Sequence, residues 1–165
     1  MSDFPPAPFA RRLASLIYDG LVVVAFAMLT TVLYLLLVNG LISMDILSLG
    51  SYEDVSALIQ ADPILYSLRA ILLVAVAVLF FAYFWTKSGQ TIGMRAWRLK
   101  VQTSDGKLLS WPRAIARSLS ALLGLGNIIV LFDFKKKRAL QDLICATEVV
   151  VLSKEENKKV YNSLD

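Results

Sequence analysis

The sequence has no histidine and a single cysteine, Cys145, in 165 residues. One cysteine excludes an internal disulfide. Without histidine a Ser-His or Cys-His catalytic pair cannot be assembled within the chain, and a zinc or copper site lacks most of its usual ligands. No nucleophile–base pair stands out, so the chain reads as not an enzyme, with no metal and no cofactor. Charge is also scarce. Charged residues make up 18% and hydrophobic residues 57%, against about 25% and about 45–50% in soluble domains. There is no charged residue from Gly20 to Val38, and no lysine or arginine from Leu41 to Asp62.

What remains is apolar and punctuated, and the length suits one domain. Residues 1–8, with Pro5, Pro6 and Pro8, form an extended lead-in, because proline resists the helix interior. A membrane domain follows over 9–152 and a polar tail over 153–165. A first helix is expected over 9–38, ended by Asn39-Gly40 with glycine at the C-cap. Its apolar part is long enough to cross a hydrocarbon core of about 30 Å. It is too long for the apolar core of a signal peptide, so it reads as a retained helix. Asp62-Pro63 is a helix start, since aspartate accepts from orphan amides and proline fits the first turn. The second spanning helix is expected over 64–85, with Phe80, Phe81, Tyr83, Phe84 and Trp85 at its far end as an interfacial belt.

Residues 98–110 read as a β-hairpin, with Leu99 and Val101 alternating with polar residues and Asp105-Gly106 supplying the turn. Val149–Leu152 reads as a further strand that can join it. Residues 113–134 form a third apolar segment, broken by Gly124-Leu125-Gly126-Asn127. It is long enough for one crossing but not two, and the break suits a bent, partly inserted helix; a third spanning helix is the alternative. The fold expected is thus an all-α membrane protein with two to three transmembrane helices and a short cytoplasmic β-hairpin. The net charge of +4 lies beside the apolar runs, where it sets topology and meets anionic lipid rather than nucleic acid. By that rule the N-terminus and the basic 86–112 segment are cytoplasmic, and the acidic 39–63 connection lies across the membrane.

Within the first helix one pair matters most. Arg12 and Asp19 are seven residues apart, so they lie within roughly 20° on one helix face and about 10 Å apart along it. An aspartate inside an apolar helix costs roughly 2.5–3.5 kcal/mol on insertion scales. The Arg11-Arg12 pair is the nearest group in sequence to offset that cost.

Three features now align: Arg11-Arg12 with Asp19, the stretch Thr91-Ile92-Gly93-Met94-Arg95, and Asp142 to Thr147. Together they resemble the RDD family of small integral membrane proteins over roughly Phe9 to Val150. The family is named for one arginine and two aspartates. The resemblance carries these over to Arg12, with Arg11 as the competing register, Asp19 and Asp142. It implies a multi-pass protein of the bacterial inner (plasma) membrane, of unestablished molecular role, for which transport has been suggested. The family's tail commonly reads Asp-x-x-Ala-Gly-Thr, often with histidine before the aspartate. This chain has Gln141-Asp142-Leu143-Ile144-Cys145-Ala146-Thr147, so Ala146 stands where glycine is usual and any proton relay through that histidine is excluded.

Two function classes follow. The leading one is a transporter-like or ion-coupled component using Asp19 as an intramembrane titrating group, with Arg12 and Asp142 completing a network. The other is a non-transporting scaffold, or an assembly or regulatory subunit of another membrane complex. Arg69 and Asp133 are secondary ion-pair candidates. Lys135, Lys136, Lys137 and Arg138 are expected to meet anionic lipid headgroups. Two spanning helices cannot enclose a pathway, so transport requires a homo-oligomer or a membrane-protein partner.

Overall fold

A computed structural model describes residues 4–133, 135 and 137–162. Lys136, and the end of the third apolar segment at Phe134, lie outside the described residues, as do the first three residues of the lead-in and the last three of the tail. The elements in chain order are α1 (Phe9–Ser43), α2 (Val55–Ala61), α3 (Pro63–Lys87), α4 (Ile92–Ala96), β1 (Leu99–Thr103), α5 (Trp111–Ser120), a 3-10 helix (Leu122–Leu131), α6 (Leu140–Ile144), β2 (Thr147–Val151) and α7 (Lys154–Asn162). α1 and α3 are each long and apolar enough to cross a membrane. α5 and the 3-10 helix are bent by 77° at their junction and make a third span only if the bent pair counts as one. The expected break at Gly124 is therefore a sharp bend.

α1 runs beyond the expected stop at Asn39-Gly40. The amide of Met44 still bonds the Gly40 carbonyl at 3.1 Å, so the glycine lies inside the helix. The true end is at Asp45, whose φ is 57°. The Asp45 amide bonds the Ile42 carbonyl and the Ile46 amide bonds the Leu41 carbonyl, both at 3.0 Å, the bond pair that closes helices on a left-handed residue. Aspartate tolerates that conformation better than most side chains. The start of α3 is as expected: Asp62 Oδ1 accepts from the Ile64 and Leu65 amides at 2.8 and 3.0 Å. α2 interrupts what reads in sequence as a plain connection; Asp54 Oδ1 caps it by accepting from the Ala57 amide at 2.7 Å.

The chain divides into two compact units, one over Val22–Ala77 and the other formed by the chain up to Leu21 with the chain from Val78. In the first, Tyr34, Val38 and Ile59 are buried together, and the Tyr34 hydroxyl donates to the Leu65 carbonyl at 2.8 Å. Thr30 and Thr31 donate to carbonyls one turn back in their own helix. In the second, the sheet is two-stranded and antiparallel, but the partner of β1 is β2, in the register Leu99↔Val151 to Thr103↔Thr147. The expected turn at Asp105-Gly106 is present, with the Gly106 amide on the Thr103 carbonyl at 2.8 Å. No strand follows it over 107–110: on the edge of β1 away from β2 the Thr103 amide bonds the Lys107 carbonyl at 3.0 Å, but the Val101 amide is already taken by the Gly89 carbonyl at 2.8 Å. The proline-rich lead-in takes the other edge of β2, where the Ala7 amide bonds the Val149 carbonyl at 2.8 Å and the Val151 amide bonds the Pro5 carbonyl at 2.9 Å. Pro6, which has no amide to offer, faces Val150 across that bridge. Part of the aromatic group belongs to this core rather than to a belt: Trp85 packs with Met94, Leu99 and Val149, while Tyr83 is exposed.

Candidate functional site

The buried charges of the second unit gather in two places. At the first, Asp142 is 1% exposed and its carboxylate is shared by two guanidiniums. Arg12 Nη1 donates to Oδ2 at 2.7 Å and Arg117 Nη1 to Oδ1 at 2.5 Å. Local structure adds to this. Asp142 is the third residue of α6 and reaches back to accept from the Ala139 amide at 2.9 Å; Ala139, having no side-chain acceptor, cannot return the bond. The Thr147 hydroxyl accepts from Arg117 Nη1 at 2.5 Å. Burial disfavours the charged carboxylate, but Arg117, Arg12 and the Ala139 amide outweigh it and hold the Asp142 carboxyl below its usual range. Arg12 then spends its remaining nitrogens on the chain around it, Nε on the Ala7 carbonyl at 3.2 Å and Nη2 on the Lys137 carbonyl at 2.8 Å. One side chain thus ties the lead-in, α1 and the tail together.

The second place is Asp19, 2% exposed. Its partners are neutral. The Thr91 hydroxyl donates to Oδ2 at 2.5 Å and the Gly93 amide to Oδ1 at 2.8 Å. Thr91 caps α4, its oxygen accepting from the Met94 amide at 3.2 Å, so Asp19 completes the cap from outside. A Cβ on Gly93 would strike the Ser15 carbonyl oxygen and come within 3.0 Å of the Asp19 carboxyl. Glycine is needed here for the close approach of α4 to α1.

The structure therefore separates what sequence spacing had joined. Arg12 does not offset Asp19; it pairs with Asp142. Helix side chains lean toward the N-terminus, which turns Arg12 away from Asp19 and toward Ala7. Among the described residues Asp19 makes no ion pair. Arg12 rather than Arg11 is the arginine that is buried and paired. Asp133 bonds Arg138 at 2.9 Å in a partly exposed pair, and Arg69 lies over the Tyr66 ring at 5.5 Å, in the other unit. Arg117, Thr91 and Gly93 are the partners that spacing alone did not single out. Arg117 could have been found as the lone charge within an apolar segment, and Thr91-x-Gly93 as a cap followed by a small residue.

A cavity of about 60 Å³ adjoins both places; Arg12, Asp19, Trp85, Arg117, Asn127 and Gln141 are among its lining residues. The Arg117 guanidinium carbon lies 5.1 Å from the centre of the Trp85 ring. Among the described residues Trp85 Nε1, Arg117 Nε and Gln141 Oε1 are buried without a hydrogen-bond partner. No group of His, Cys, Asp and Glu side chains able to hold a metal occurs among the described residues.

Two apolar helices of spanning length, a third bent segment, a small two-stranded sheet and a buried Arg–Asp–Arg cluster in contact with it through Thr147 define a small helical membrane protein. A family model described as "RDD family" matches residues 6–146. The chain belongs to the RDD family. Comparison with curated proteins returns no match, and comparison with solved structures returns none. Where the family commonly has glycine, Ala146 stands at φ 49°, a conformation that favours glycine.

Proposed function

We propose that this protein is a transporter-like, ion-coupled component of the bacterial inner membrane, with Asp19 as the group that takes up and releases a proton. The observation that carries this reading is the contrast between the two buried aspartates. Asp142 is paired with two arginines, and protonating it would leave both buried guanidiniums without a counter-charge. Asp19 is held by a hydroxyl and an amide beside a cavity. It can exchange its charge for a proton without stranding a cation, and intramembrane carboxylates of this kind mark ion pathways. A pathway needs more than two spanning helices, so the working unit is a homo-oligomer or a complex with another membrane protein. The positive-inside rule puts the N-terminus on the cytoplasmic side. Lys135, Lys137 and Arg138 then lie at the headgroups, with the Arg138 charge shared with Asp133.

The test is proton movement in everted vesicles, driven by gradients of sodium, potassium or lithium at fixed gluconate and by chloride gradients at fixed cation. The intact protein, Asp19→Asn and empty vesicles are compared at matched protein levels. Movement with the intact protein that Asp19→Asn abolishes is the expected result. An intact protein that matches empty vesicles under every gradient refutes the reading. A second reading, a non-transporting assembly subunit, draws support from the arginine-locked Asp142, which fastens the lead-in to the tail. It expects Asp19→Asn to lower protein level or complex assembly and to leave no flux to lose.

A further inference from the structure

We propose that the cavity beside Asp19 binds a small monovalent anion of chloride size between Arg117 Nε–H and Trp85 Nε1–H, and that its occupancy is tied to proton uptake at Asp19. The tie rests on the reading of Asp19 given above; the anion site itself rests on the cavity. Three observations carry it. The first is donor chemistry. A buried N–H without a partner forfeits its hydrogen bonds to water, at about 1–3 kcal/mol each. Trp85 Nε1 and Arg117 Nε are two such donors on residues lining one cavity, with Arg117 only 3% exposed. The stacking of the guanidinium on the indole, 5.1 Å apart, keeps the two donors on neighbouring groups.

The second is size. A water needs about 10–15 Å³ of such a cavity, whereas pockets for organic ligands run to about 300–1,000 Å³. A cavity of about 60 Å³ takes a single halide-sized ion with one or two waters and excludes a metabolite. Its remaining wall includes Leu16, Phe81, Met94 and Val149, apolar side chains that suit a weakly hydrated anion. Gln141 Oε1, an unpartnered buried acceptor on a lining residue, sits on an amide whose nitrogen donates to Asn127 Oδ1 at 3.0 Å. Turning both amides over keeps that bond and presents a third N–H in place of the oxygen.

The third is charge. Arg12 on α1 and Arg117 on α5 contribute two positive charges at the wall, and Asp142 on α6, which they share, contributes one negative. α4 faces Asp19 with the neutral Thr91 hydroxyl and Gly93 amide. With Asp19 ionised these four side chains sum to zero; with Asp19 protonated they sum to +1. An anion restores neutrality in the protonated state, so anion and proton favour each other's binding by linkage.

The experiment measures binding of radiolabelled chloride to the full chain in nanodiscs, in gluconate at constant ionic strength, between pH 5 and pH 8. Saturable binding of one chloride per chain, tighter at low pH, is expected. Trp85→Phe keeps a ring against the guanidinium and removes one donor; it should weaken binding about tenfold. Asp19→Asn, which fixes this position neutral, should bind at pH 8 as tightly as the unaltered protein does at pH 5. Absence of saturable chloride binding at pH 5 would overturn the anion site, even where vesicles still show Asp19-dependent proton movement. Unchanged affinity in Trp85→Phe would place the ion elsewhere and overturn the assignment. Saturable binding indifferent to pH and to Asp19→Asn would overturn the tie to Asp19 and count against the proton reading, while the anion site stands.

Discussion

Replacing Asp142 by asparagine is the sharpest single perturbation of the buried cluster. The change keeps the size of the side chain and one oxygen, which can still accept from the Ala139 amide. It removes the only carboxylate bonded to Arg12 and Arg117 among the described residues, taking the three-residue cluster from +1 to +2 in a site where both arginines are no more than 5% exposed. Breaking a buried pair by removing one partner costs about 3–5 kcal/mol, because the surviving charge is left uncompensated. At about 2–4 °C per kcal/mol for a chain of this size, the melting midpoint of the purified protein in nanodiscs should fall by roughly 6–20 °C. Adding Arg117→Gln to Asp142→Asn returns the cluster to +1 and should recover part of the loss, by a coupling of about 0.5–3 kcal/mol. The pH dependence has a definite sign. Asp142 is held below the usual carboxylate range in the folded chain, so the unfolded chain takes up its proton first as the medium is acidified. The stability that Asp142 contributes is fully present above the unfolded value of about 3.9. It is lost as pH falls through the lower folded value. The unaltered protein should show this acid loss below about pH 4, and the part due to Asp142 should be missing in Asp142→Asn. A melting midpoint for Asp142→Asn within about 3 °C of the unaltered protein at pH 7 would refute the claim that this carboxylate neutralises the two arginines.

Two backbone positions give further checks. Gly93→Ala drives a methyl group into the Ser15 carbonyl and against the Asp19 carboxyl, so α4 must back away from α1. A loss of about 1–3 kcal/mol is expected by thermal unfolding, together with loss of proton movement if Asp19 depends on the Gly93 amide. Ala146→Gly runs the other way. Alanine at φ 49° carries strain that glycine lacks, partly offset by the greater freedom of glycine in the unfolded chain. A gain of about 0.5–1 kcal/mol, read as a midpoint raised by roughly 1–4 °C, is the expected outcome.

The membrane character, both spanning helices and the bend near Gly124 are legible in sequence because each rests on a local signal: run length, charge gaps, Asp62-Pro63, a glycine-rich break. What was not legible depends on choices between distant partners. A strand beginning at Leu99 followed by Asp105-Gly106 has every local mark of a hairpin, yet β1 pairs with Thr147–Val151, and on its other edge the Val101 amide goes to the Gly89 carbonyl instead of to a strand over 107–110. The same holds for the charges. Spacing on a helix says that Arg12 and Asp19 share a face, not that they touch, and the lean of helical side chains sends Arg12 to the tail. The resemblance named the three residues; only packing could divide them. That division has a functional consequence. One aspartate carries the permanent charge that holds the two ends of the sequence together, and fixing it with two arginines leaves a surplus positive charge at the wall of the cavity. On the function proposed above, the other aspartate, which caps a single-turn helix through neutral donors, is the group that answers that surplus. A chain with both aspartates paired to arginine would have no buried carboxylate whose protonation leaves every cation paired.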